Sequence, residues 1–460
     1  MLNTKSQDNP SDELKIFELS LIWKEAAYNF AFWENHMHQL DWDKAYREAL
    51  PAVLATQNLY SYYLELARFV ALLRDGHTDV RMPRSIEENP AYTSKLPIRI
   101  TYSNGKHVIS NVKRVAGDTV KRWSVVKKIN GQEIEKYVAQ HVFPYIWHEK
   151  LDSVGWNINN FITNGPLESR VDFELEYDGE ISIVTLERTK GDVDWLYGEK
   201  LNPSEKMDAV YKSDSHKIEM TCDGIAIITI DTMMNDDLPK EFYANFPLLE
   251  KARGYILDVR YNGGGNSGNS DAVAAAFING QFQNQRSLHP IHIGAFKAWS
   301  VYQDFGDKTW EEVVAEHGES DWLELVYKIP RQMYYDEHTS NSQYARTAPD
   351  VLNAPLVVLA NAGTGSAAED FLVIFEHTKR ATIVGTPSNG STGQPLNIQL
   401  ESGGNVRICT RHNTHIDGRE FINIGVLPHI YFEPSIDDLR SNIDTHMSKG
   451  LEVLRAKILE

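Results

Sequence analysis

The stretch Pro355-Leu-Val-Val-Leu-Ala360 runs directly into Asn361-Ala-Gly-Thr-Gly-Ser-Ala-Ala-Glu-Asp-Phe371, and its reading decides the fold of this chain. A continuous apolar run closed by a glycine-containing turn reads as a strand covered on both faces. The residues after the turn, as far as His377, read as a helix. Two more runs have the same texture. They are Gly224-Ile-Ala-Ile-Ile-Thr-Ile230 and Gly254-Tyr-Ile-Leu-Asp-Val259, the second running into Gly263-Gly-Gly265. Repeated strand, turn and helix units predict a covered α/β sheet over residues 200–460. Within it, residues 286–348 are polar and aromatic with weak periodicity, and read as an insertion near the site.

Upstream the texture changes. Residues 1–92 read as a helical block: Ser11 and Asp12 are good caps, and Phe17, Leu21, Ala27 and Phe30 recur at helical spacing. Pro51 breaks the pattern, and a second helix is predicted through Leu59, Tyr63, Leu66 and Val70 to Leu73. Its many Trp and Tyr rings are expected to form its core. Residues 93–192 alternate short strands, such as Ile98-Arg-Ile100, Val125-Val-Lys-Lys-Ile129 and Val171-Asp-Phe-Glu-Leu175, with a turn at Asn130-Gly131. The fold class is therefore α+β with α/β, in several domains.

Composition narrows the function. The 460 residues, 42 % hydrophobic and 24 % charged, are those of a globular protein, and the length suggests about three domains. The net charge of −18 argues against a phosphate backbone as partner. No apolar stretch is long enough for a membrane span. Met1 to Pro10 lacks an apolar signal core, as expected of a cytoplasmic chain or of a periplasmic or secreted one whose leader has been removed. Cys222 and Cys409 are free to pair but form no disulfide framework and no zinc spacing. No metal or cofactor is implied.

Three places offer chemistry. Ser366 sits at the strand-to-helix turn, where a serine is pushed out at the end of the sheet into the positive field of a helix N-terminus. Those are the needs of a nucleophile whose attack creates an oxyanion, and the amide of Ala367 points to the same spot. Ser366 with Glu369 also reads as a plain capping box. The glycines at 263–265 suit either an anion-holding nest or a tight turn. His77, in Arg74-Asp-Gly-His-Thr-Asp79, reads as a general base reaching across a cleft or as a surface residue. The remaining histidines, including the pairs His36 with His38 and His412 with His415, show no ligand spacing.

Taken in order, these motifs resemble the serine peptidase family of tail-specific (C-terminal processing) proteases and the tricorn core protease. Leu73-Arg-Asp-Gly-His-Thr78 looks like the family's Leu-x-Asp-Gly-His-Thr. Leu257-Asp-Val-Arg-Tyr-Asn-Gly-Gly-Gly265 looks like its Asp-Leu-Arg-x-Asn-x-Gly-Gly. Asn361 to Glu369, followed by Arg380-Ala-Thr-Ile-Val-Gly385, looks like its nucleophile segment and next strand. Gly425-Val-Leu-Pro428 resembles the closing Gly-Val-x-Pro-Asp, with His429 in place of the aspartate.

The resemblance implies a crotonase-like, ClpP-like catalytic domain and a PDZ-like module over residues 93–192 that binds peptide termini by strand addition. It implies Ser366 as the catalytic serine, with Gly264 and Ala367 supplying the oxyanion hole. The tail-specific branch activates its serine with a lysine; counting 25 positions on from Ser366 reaches Ser391 instead. The tricorn branch uses a histidine, which His77 matches, preceded by a serine where this chain has Gly76. Thr78 is the suggested substitute. Glu420 is the expected supporting carboxylate, with Asp417 second. The expected activity is cleavage of peptides or unfolded proteins, falling below pH about 6.5 as His77 protonates. A non-catalytic ligand- or peptide-binding protein of the same fold, or an esterase, is the alternative. Homo-oligomerisation is left open.

Overall fold

The computed structural model describes residues 9–33, 40–190, 194–198, 201–291, 294–303, 305–329, 334–342, 344–346 and 350–460. His36 and His38 lie outside them. The architecture is mixed α and β in several packed units.

Three helices form the N-terminal block: Asp12–Asn29, Trp42–Leu54 and Leu59–Ala71. Side-chain oxygens of Ser11, Asp41 and Asn58 accept the N–H of Leu14, Lys44 and Ser61, which fixes each start. The predicted break at Pro51 is not one. This proline lies in the last turn of Trp42–Leu54. Burial of Trp42, Ala45 and Val53 offsets the single backbone bond it removes. Several of the aromatic rings are core: Tyr62, Tyr63 and Phe69 are buried, and Trp42 stacks on Phe69 at 4.2 Å, whereas Tyr28 is exposed. That core is continuous with the large sheet, since Leu66 and Phe69 share one cluster with Ile228, Leu257 and Phe371.

The β module is an antiparallel sheet of strands Ile98–Ser103, Lys106–Val112, Val125–Ile129, Arg170–Tyr177 and Glu180–Glu187, in that order. Asn130 and Gly131 turn it with φ of 49° and 77°, both left-handed. It has its own core around Ile100, Val112, Ile162 and Phe173.

The large sheet has seven strands in the order Met207–Lys212, His216–Thr221, Ile225–Ile230, Gly254–Asp258, Leu356–Ala360, Thr382–Gly385 and Ile430–Tyr431. The last five run parallel. Each residue of Ile225–Ile230, Gly254–Asp258 and Leu356–Ala360 is buried, because both faces are covered. One face meets Phe371 and Phe375 of the helix Ala367–Thr378. The other meets Met447, Leu451 and Leu454 of the C-terminal helix Thr445–Leu459. Arg260 ties the two ends together, bonding Asp258 and Asp444 at 2.8 Å each.

Within residues 286–348 the described parts are the paired strands Gln283–Ile291 and Tyr334–Asn341 and three helices of eight to ten residues. Short helices around the small core of Phe305, Val313, Leu323 and Val326 explain the weak periodicity. Cys222 is exposed and Cys409 buried, and both are free thiols. Among the described residues no helix is long and apolar enough to cross a membrane.

Candidate active site

The sequence places Ser366 between a buried strand and a buried helix, so the turn joining them must be abrupt. Its φ of 54° and ψ of −127° are unusual for a residue with a side chain and cost about 1–3 kcal/mol. Two contacts hold the strain. The Ser366 N–H donates to Ser391 O at 2.9 Å and to Glu369 Oε2 at 3.1 Å. The capping-box carboxylate expected from Ser-x-x-Glu is therefore present, on the same residue that the nucleophile reading selects.

His77 arrives from the front of the chain. After the helix Leu59–Ala71, the strand Asp79–Arg81 pairs antiparallel with Asn405–Cys409 near the other end of the chain. That pairing fixes the loop before it. Asp75 Oδ2 accepts the His77 N–H at 3.1 Å and the Thr78 hydroxyl at 2.6 Å. Thr78 Oγ1 accepts the Cys409 N–H at 3.0 Å, and Asp79 pairs with Arg407. The ring of His77 then lies 3.2 Å from Ser366 Oγ through Nε2, across 289 residues of sequence. Its Nδ1 contacts the hydroxyl of Ser391.

The glycine turn abuts Ser366. A Cβ built on Gly264 would stand 2.5 Å from Ser366 Cβ and 2.8 Å from Ala367 N, and its φ is 95°. The Gly264 N–H turns back onto Asn262 Oδ1 at 2.9 Å. Among the described residues the Ala367 N–H meets no protein acceptor.

The carboxylate expected to support the pair is not brought to it. Glu420 binds His412 Nε2 at 2.8 Å, and Asp417 pairs with Arg419. Thr78 serves Asp75 rather than the ring of His77. The carboxylate that does reach the site is Glu369. Fully buried, it accepts from Ser366, Gly390 and Ser391 N–H and from the Ser388 hydroxyl. Burial pushes it up to about 7 against those four bonds. His429, at the position of the expected aspartate, accepts the Ile383 N–H at 3.0 Å and holds the sheet. Sequence reasoning missed Asn262 and the role of Ser391, although counting from Ser366 lands on the latter.

His77 carries no charge at neutral pH. Burial lowers it most, then the positive Arg407, and it settles at about 4. A lowered value means that the base stays neutral until the pH falls through about 4, not 6.5. We therefore expect the rate at which a fluorophosphonate labels Ser366 to hold between pH 6.5 and 5 and to drop only towards pH 4. An acid limb centred near 6.5, in protein whose circular dichroism is unchanged, would contradict this.

Ser366, on its strained strand-to-helix turn, is thus faced by a neutral imidazole and by the amide of Ala367. Residues 224–432 match the model of peptidase family S41, which bears out the resemblance of the motifs between Leu257 and Pro428 to that family. A carboxy-terminal-processing protease of Bartonella bacilliformis is 24 % identical over 212 residues, 46 % of this chain and 38 % of that protein. A carboxyl-terminal-processing protease of Synechocystis is 26 % identical over 133 residues, 28 % of this chain and 30 % of that protein. The match thus spans well under half the length of these relatives. Among solved structures, that of mature CPAF complexed with lactacystin has a TM-score of 0.70 at 15 % identity, covering 97 % of this chain and 99 % of that one. That likeness concerns the fold.

Proposed function

We propose that the chain is a serine-type peptidase in which His77 activates Ser366, the Ser–His chemistry of the tricorn-like branch. The observation that carries this is the 3.2 Å approach of His77 Nε2 to Ser366 Oγ from elements 289 residues apart. The family match over residues 224–432 supports the reaction class. Ser391, at the position reached by counting to the lysine of the other branch, supports the histidine as base.

In this reading neutral His77 takes the Ser366 proton as Oγ attacks a peptide carbonyl. The Ala367 amide holds the oxyanion, joined by that of Gly264 once Asn262 Oδ1 yields its bond. The imidazolium protonates the leaving amine, and water then cleaves the acyl-enzyme with His77 again as base. The strained turn holds Oγ in place before substrate arrives, so little reorganisation is left for the reaction itself.

We further assign residues 1–92 to a helical domain, 93–192 to a PDZ-like module that takes substrate termini, and 200–460 to a crotonase-like catalytic domain carrying the 286–348 insertion. The module touches the catalytic loops: Ser153 Oγ donates to Asn389 O at 2.8 Å, and Arg74 pairs with Glu149 at 3.4 Å. Incubation with a denatured protein, read by mass spectrometry, tests the activity. New peptide termini that vanish with Ser366→Ala are expected; turnover of short-chain esters alone would contradict a peptidase.

A further inference from the structure

Among the described residues no carboxylate bonds to the ring of His77. Asp75 is spent on the backbone N–H of His77 and on Thr78, and Asp79 on Arg407. What meets Nδ1 is the hydroxyl of Ser391. From this geometry we infer that Ser391 is a positioning residue, holding His77 in the tautomer that bears its proton on Nδ1 and leaves Nε2 free to accept from Ser366. The inference rests on the Ser–His reading above.

Three observations support it. Ser391 is buried, 3 % exposed, and clamped from both sides: its N–H donates to Glu369 Oε2 at 3.0 Å and its carbonyl accepts from Ser366 N–H at 2.9 Å. One short segment thus fixes the nucleophile through its backbone and the base through its side chain. Space for the hydroxyl is reserved by Gly76, where an added Cβ would lie 2.7 Å from Ser391 Oγ. Finally, a neutral hydroxyl accepting from Nδ1–H holds the ring without placing against the imidazolium the charge that a carboxylate would, which agrees with the low basicity of this ring.

The test compares Ser391→Ala with the unsubstituted protein by steady-state kinetics and by nitrogen NMR of the His77 ring. Expected are a fall in kcat on the order of 10²-fold with KM within about twofold, and loss of the single Nδ1–H tautomer. Because the substitution can also loosen the 388–391 loop, Gly76→Ser combined with Ser391→Ala is the second variant. It returns a hydroxyl to the same space from the other side, provided the Cβ that residue 391 keeps, 2.9 Å from the new Cβ, and the Trp147 ring, 3.2 Å from it, give way by a few tenths of an ångström. Recovery of kcat relative to Ser391→Ala is expected. Unchanged kcat in Ser391→Ala, or a loss confined to KM with the ring tautomer intact, overturns the role of Ser391 alone. An unsubstituted protein that neither cleaves peptide nor labels at Ser366 overturns the Ser–His reading itself.

Discussion

Replacing His77 with alanine is expected to lower peptide turnover by at least about 10³ while leaving the protein folded, because His77 Nε2 is the base placed against Ser366 Oγ among the described residues. The side chain lies in a loop, and its removal deletes two contacts, to Ser366 and to Ser391. The loop itself is held independently by Asp75, Thr78 and the strand Asp79–Arg81. The effect should therefore fall on kcat, with KM and the thermal midpoint close to those of the unsubstituted protein. Turnover within tenfold of normal would place the base elsewhere.

The second large effect belongs to Gly264→Ala. The new methyl would sit 2.5 Å from Ser366 Cβ, 2.7 Å from Gly365 O and 2.8 Å from Ala367 N. Two of those atoms are backbone, so a rotamer change cannot relieve the contact, and the φ of 95° is itself unfavourable for alanine. The glycine turn and the nucleophile turn must separate. Displacing a reacting group by about 1 Å costs on the order of 10² in rate, and losing one oxyanion donor costs a further factor of similar size. Gly263→Ala is the control, since a Cβ there meets nothing within 4 Å. Equal activity of the two variants would remove the argument for close approach at 264.

The parts of the molecule legible in its sequence are those whose cause is local. Buried parallel strands announce themselves as apolar runs, so Ile225–Ile230, Gly254–Asp258 and Leu356–Ala360 are read within a residue or two of their ends. Ser366 and His77 are legible because each stands beside glycine at the end of an element. What the sequence hides is tertiary in origin. The helix Trp42–Leu54 survives its proline because packing of Trp42 and Val53 outweighs one lost bond. Glu420 was a reasonable carboxylate on sequence grounds but meets His412 in space. Glu369 looked like an ordinary helix cap. Only the return of the 388–391 loop over the helix start reveals that it holds four donors around Ser366. Ser391 bears no local mark at all. Its role appears only when the strand pairing of Asp79–Arg81 with Asn405–Cys409 brings His77 to it.

A fluorophosphonate tests whether Ser366 is an alcohol activated by His77 without knowledge of the natural substrate. One adduct per chain, mapped by peptide mass to Ser366 and forming at least about 10³ times more slowly in His77→Ala, is the predicted result. Labelling of Ser366 at the same rate in both proteins, or an adduct on another serine, would contradict it.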